Sequence, residues 1–124
     1  MKKKYIYQHQ PGKVFICSPF RPRNGTPEDR LIDLHCNQEI ACLVSRYAVS
    51  LGYMPMAPHL FFPQFLSESD ENEREIGIRY GLEWLSQCDE LWVIGPRITE
   101  GMRREIHIAE ELGLPIKLFT LYHA

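Results

Sequence analysis

Apolar and polar positions along this chain follow two different periods, and the switches between them mark its elements. Three short runs rich in β-branched and aromatic residues, Lys13-Val-Phe-Ile-Cys17, Glu90 to Ile94 and Ile116-Lys-Leu-Phe-Thr120, have the length and composition of buried strands. Between them apolar residues recur at helical spacing. Ile40, Leu43, Val44, Tyr47 and Leu51 predict a helix over about 34–51 closed by Gly52. Ile76, Tyr80, Leu82 and Leu85 predict a second, from about Asp70 to Gln87, with Glu71, Glu73 and Glu75 at its positive end. A third runs from about Glu100 to Leu112, with Gly113 as its cap. Met54-Pro-Met-Ala-Pro58 is a weaker strand, because two prolines remove ladder donors, and it predicts a parallel edge strand.

The order β-α-β-α-β-α-β implies an α/β protein with one four-stranded parallel sheet, right-handed crossovers and helices on both faces. Ligands of such sheets bind outside the carboxyl ends of the strands, where the winding reverses. Three loops are expected to converge there, over 18–33, 59–70 and 95–101. The first reads as a long irregular stretch, and such stretches in small domains are more often binding loops than connectors.

With 124 residues the chain fits one domain over 13–124, preceded by an arm over 1–12 that Pro11-Gly12 sets apart. Fourteen basic against sixteen acidic residues give a net charge of −2, and the basic residues are scattered apart from Lys2-Lys3-Lys4. Duplex nucleic acid is therefore not an expected partner. No apolar run approaches the ~20 residues of a membrane span, and the amino-terminal stretch lacks a signal-peptide core, so a soluble, cytoplasmic protein is expected. Cys17, Cys36, Cys42 and Cys88 show no two-residue gap of a zinc or redox motif and read as buried small hydrophobes in a reducing compartment. No metal or redox cofactor is implied.

The candidate chemistry gathers in the last third. An apolar strand ending at Gly95, a short polar loop and a helix opening at Thr99-Glu-Gly101 build a cup suited to an anion, with Glu105 inside that helix's first turns. The helix dipole is expected to hold Glu105 ionised, as a glycosyl-accepting nucleophile needs, although a Glu after Arg103-Arg104 is also commonly a plain solvated charge. Thr99 and Gly101 serve a phosphate or simply cap the helix. Ser18, Phe20 and Arg21 follow the first strand; Ser18 reads equally as a donor or a turn residue, and Arg21 and Arg23 as phosphate ligands or solubilising charges. His59, Phe61, Phe62 and Phe65 offer a base-stacking wall or an oligomer interface, and His59 a general acid or a structural bridge. Asp89, at the amino end of its strand, reads as a turn residue.

The phrases Val14-Phe-Ile-Cys-Ser-Pro-Phe20, Cys88 to Gly95 and Thr99-Glu-Gly-Met-Arg-Arg-Glu105, followed by Ala109 and Leu112-Gly-Leu-Pro115, resemble the nucleoside 2-deoxyribosyltransferase-like superfamily, most closely its small uncharacterised bacterial and phage branch. The resemblance covers nearly all of 13–120. It implies a flavodoxin-like (Rossmann-like) three-layer sandwich, assembled as a homo-oligomer, that binds nucleosides or nucleotides and hydrolyses or exchanges the N-glycosidic bond. It also implies Glu105 as the catalytic nucleophile and phosphate or substrate contacts from Ser18, Thr99 and Gly101; Phe20, Arg21, His59, Phe62, Gly95 and Met102 complete the set of candidate substrate-binding residues. Many active relatives carry an Asp eight residues before the Asp of the Cys-Asp motif, where this chain has Gly81. That departure speaks for a second reading, a non-catalytic nucleotide-sensing or protein-interaction module.

Overall fold

The computed structural model describes residues 11–120; the arm expected over 1–12 falls almost wholly outside them. Strands β1 (Lys13–Cys17), β2 (Met54–Met56), β3 (Glu90–Gly95) and β4 (Ile116–Thr120) alternate with helices α1 (Pro27–Ser50), α2 (Glu71–Leu85) and α3 (Glu100–Glu111). All three strand pairings are parallel and the sheet order is β2-β1-β3-β4. The fold is thus the expected α/β, flavodoxin-like arrangement, with β2 and its Pro55 at an edge. The winding reverses between β1 and β3.

Side chains alternate across the sheet and split the core in two. Val14, Ile16, Trp92 and Ile94 face α1 through Val44 and Ala48. Phe15, Cys17, Leu91 and Val93 face α2 and α3 through Leu85, Met102 and Ala109. Among the described residues one helix covers one face and two cover the other. Gly52 and Gly113, the predicted caps, have φ of 90° and 72°, a left-handed turn that a side chain would strain.

The first loop is shorter than expected. Helix α1 begins at Pro27 because Thr26 caps it: the Asp29 amide donates to Thr26 Oγ1 at 3.1 Å and the Thr26 amide to Asp29 Oδ2 at 3.4 Å. The irregular stretch is therefore 18–26. The second loop, in turn, is not irregular throughout, since Pro58–Leu60 and Phe62–Gln64 form single 3-10 turns. Asp89 is a turn residue as expected, its Oδ2 accepting the Lys13 amide at 2.7 Å. Of the four free cysteines only Cys17 and Cys88 are buried; Cys36 and Cys42 are exposed on α1, a correction to the expectation of four core thiols.

Gly81 lies buried in α2 against the Pro58 ring, where an added Cβ would stand 3.5 Å from Pro58 Cβ and Cγ, an ordinary contact. Gly costs a helix interior ~0.5–1 kcal/mol relative to Ala. Gly81→Ala is therefore expected to raise stability by about that amount. Thermal unfolding checks it, and a lowered Tm would show that α2 packs on Pro58 more tightly than these distances allow.

Candidate active site

The three loops meet at the carboxyl ends of β1 and β3 around a cavity of about 210 Å³. A single water needs only ~10–15 Å³, so the space suits an organic ligand rather than a lone solvent molecule. Phe20 and Arg21 enter from the first loop, Pro58, His59, Phe62, Pro63, Leu66 and Glu68 from the second, and Arg97, Thr99, Gly101 and Met102 from the third. Helix α3 adds Arg104 and Glu105. Ser18 and Gly95 do not line it. Ser18 is wholly buried at the end of β1 with its hydroxyl unpartnered among the described residues, and Gly95 closes β3 beside Leu118 and Phe119.

Glu105 reaches the cavity because it follows Met102 by nearly one turn on α3, and Met102 is itself buried in the core. Its Oε1 is buried without a hydrogen-bond partner among the described residues. Burial pushes its carboxyl up to about 7, against the opposing pull of the Cys17 thiol and the Arg104 charge. The dipole expectation is thereby corrected: Glu105 lies beyond the first turn, where the dipole fades, and desolvation outweighs it. An unpartnered buried carboxyl oxygen is costly in isolation and marks a group that a ligand can engage. The Cys17 thiol, which donates weakly to the Met102 carbonyl at 3.7 Å, is driven far up by burial and by Glu105, so it is a neutral neighbour rather than a nucleophile.

The aromatic side is built from one stack and one cluster. Phe20 packs face to face on His59, with ring centroids 4.9 Å apart and planes 17° from parallel. Burial pushes the imidazole down to about 4, so it stays neutral near pH 7 and acts as a flat stacking surface rather than a cation. Phe62 is buried against Trp84 and Tyr80 and lines the cavity; Phe61 and Phe65 pack on it and remain exposed.

Charge is balanced around the rim. Glu68 stands 3.8 Å from both Arg21 and Arg74, long pairs at an exposed position. Arg97 donates to the Arg21 carbonyl at 2.9 Å and lies 3.7 Å from Asp33. Arg23 is outside the cavity and bound to Asp33 at 2.9 Å, holding that carboxyl below the usual range and tying the loop to α1. Thr99 Oγ1 accepts the Met102 amide at 3.2 Å, so its hydroxyl caps α3 as well as lining the cavity.

Sequence reasoning missed the contribution of α2. Arg74, Gly77, Ile78 and Leu82 line the cavity along one helical face, with Glu73 beside them. Their spacing of three and four residues was a readable signal, but nothing in the sequence said which face of α2 met the loops.

Among curated proteins, none matches this chain in sequence. Among solved structures, the 2-deoxyribosyltransferase of the psychrotolerant bacterium Bacillus psychrosaccharolyticus superposes with a TM-score of 0.65 at 20% identity, over 88% of this chain and 72% of that one. The chain accordingly has a nucleoside 2-deoxyribosyltransferase-like fold. No helix among the described residues is long and apolar enough to cross a membrane. With the family described as a domain of unknown function (DUF7768) matching residues 12–119, the chain belongs to that family.

Proposed function

We propose that this protein binds a nucleoside or nucleotide in the cavity and cleaves its N-glycosidic bond through Glu105. One observation carries the reading: a buried carboxyl, unpartnered at Oε1 among the described residues, lines an organic-sized cavity together with the stacked Phe20 and His59 rings. The structural neighbour, a 2-deoxyribosyltransferase, supports the substrate class.

The ionised carboxylate attacks the anomeric carbon, the bond to the base breaks, and the base leaves with the bonding pair and takes up a proton. The resulting glycosyl ester is released by water, which makes the protein a hydrolase, or by a second base, which makes it a transferase. Phe20, His59 and Phe62 offer flat apolar surface to the base, because planar rings bind well against aromatic faces. Arg21, Arg97, Thr99 and Gly101 face the sugar and any phosphate. Four free thiols suit a reducing compartment, and we place the protein in the cytoplasm.

A second reading is favoured by Gly81, which sits under Pro58 and presents no side chain to assist Glu105. On that reading the cavity binds the same ligands without turnover. Incubation with a panel of nucleosides and their monophosphates, with free base and heat of binding both measured, separates the two. Base release from at least one member is expected. Binding without release leaves the sensing module, and neither binding nor release from any member removes both.

A further inference from the structure

Helix α2 carries two glycines in its interior, Gly77 and Gly81, and the backbone requires neither. Among the described residues only Gly52 and Gly113 have a positive φ, the usual reason for a glycine. Close approach does not explain them either. A Cβ on Gly77 would stand 3.5 Å from Leu66 Cδ1 and 4.0 Å from Phe62 Cβ, and one on Gly81 would stand 3.5 Å from Pro58 Cβ and Cγ, all ordinary contacts. A glycine at such a place lowers stability, because its unfolded chain has more freedom to lose. The two differ in one respect: Gly77 lines the cavity and Gly81 does not.

The surroundings of Gly77 are the apolar part of the lining. Phe62 and Leu66 are the side chains that its missing Cβ would touch, and Ile78 and Leu82 follow it along α2. The charged positions that α2 gives the cavity, Glu73 and Arg74, lie about one turn nearer its amino end. An aromatic ring buries well against such an apolar surface, whereas sugar hydroxyls would lose their hydrogen bonds there.

We propose that Gly77 sets the size of the base this site accepts, and that the room left by its missing side chain admits the second ring of a purine. The proposal rests on the reading of the cavity as a nucleoside or nucleotide site. A one-ring base is shorter and does not need that room, so a side chain at position 77 takes space from a purine and little from a pyrimidine. The packed wall cannot give way freely, because Phe62 is held by Trp84 and Tyr80 behind it. A methyl group in the way of a ligand in an apolar pocket costs roughly tenfold or more in discrimination.

Calorimetric titration of the full chain with 2′-deoxyadenosine and 2′-deoxycytidine, each with and without a 5′-phosphate, tests this. Wild type is expected to bind the adenine compound. Gly77→Ala is expected to weaken that binding by roughly tenfold or more, and Gly77→Val by more again, while cytosine binding in Gly77→Ala stays within a few-fold of wild type. Gly81→Ala, one turn further along the same helix and outside the lining, is expected to leave both affinities within a few-fold. Both alanine variants are expected to raise Tm by a few degrees, so a loss of adenine binding in Gly77→Ala cannot come from unfolding. A Gly77→Ala protein that binds the adenine compound as tightly as wild type overturns the proposal, and so does one that loses both bases alike. Either result leaves the reading of the cavity standing, because wild type still binds. A wild type that binds only the cytosine compounds, or none of the four, also overturns the proposal; in the last case the wider nucleoside panel decides whether the reading of the cavity falls with it.

Discussion

Glu105→Gln is expected to abolish base release, by on the order of 10³-fold or more, while leaving nucleoside binding within a few-fold of wild type. The amide keeps the size of the carboxyl and its place against Cys17, so the cavity should be unchanged. It cannot form the glycosyl ester. Because burial lifts the carboxyl of the free protein to about 7, its own ionisation should show in the rate: kcat/KM for base release rises with pH through about 7 and then levels, since only the carboxylate attacks. Rapid-quench measurement of free base across this range, with calorimetric binding for both proteins, checks the two claims together. A variant that releases base as fast as wild type removes Glu105 as nucleophile. A variant that also fails to bind shows instead that Gln disrupts the cavity.

The same substitution is expected to make the protein more stable above pH 7, by on the order of 2 kcal/mol. The Glu105 carboxyl has a folded pKa of about 7 against an ordinary 4.5. Between those values the unfolded chain gives up its proton first, so stability falls as pH rises, and above 7 the full cost of about 3 kcal/mol is present. His59 slopes the other way. Its folded pKa of about 4 lies below the ordinary 6.5, the unfolded chain binds a proton first, and stability rises with pH across that interval. The two slopes oppose each other between about 4.5 and 6.5, leaving the wild type nearly flat. Glu105→Gln removes one of them, so the variant should gain stability steadily from pH 4 to 6.5, then hold it where the wild type falls. Urea unfolding at a series of pH values reads this directly. Parallel curves for the two proteins would mean that Glu105 is solvated, and would remove the physical basis of the proposed site with it.

The cost and the chemistry have one origin. A carboxyl that water reaches freely would be ionised at little expense, but it would be a weaker nucleophile, shielded by its hydration shell. Burial at the cavity wall strips that shell and leaves Oε1 for a ligand to engage. A stability penalty at a functional site is the usual companion of such an arrangement.

Gly81 shows how local sequence and tertiary position differ in what they reveal. Read along the chain, it is the place where many relatives of the resembled superfamily carry a carboxylate. In the fold it backs onto Pro58, beneath the turn that carries His59. A missing acid there alters the support behind the aromatic side of the cavity and leaves Glu105 in place.

The order of strands and helices, the edge position of Met54–Met56, the caps at Gly52 and Gly113 and the meeting of three loops at one end of the sheet were all legible in the sequence. They follow from local rules: the period of apolar residues, the missing amide of proline, the freedom of glycine, and the chirality that winds a β-α-β chain one way. Even the early start of α1 is written in Thr26-Pro-Glu-Asp29, a capping box. What only the tertiary structure decided was environment. Whether Glu105 is solvated or buried, whether His59 is charged or neutral, which face of α2 joins the cavity and why Ser18 is hidden while Arg97 is not all depend on which distant segments pack together. Desolvation is a property of those long-range contacts, and no single stretch of chain contains it.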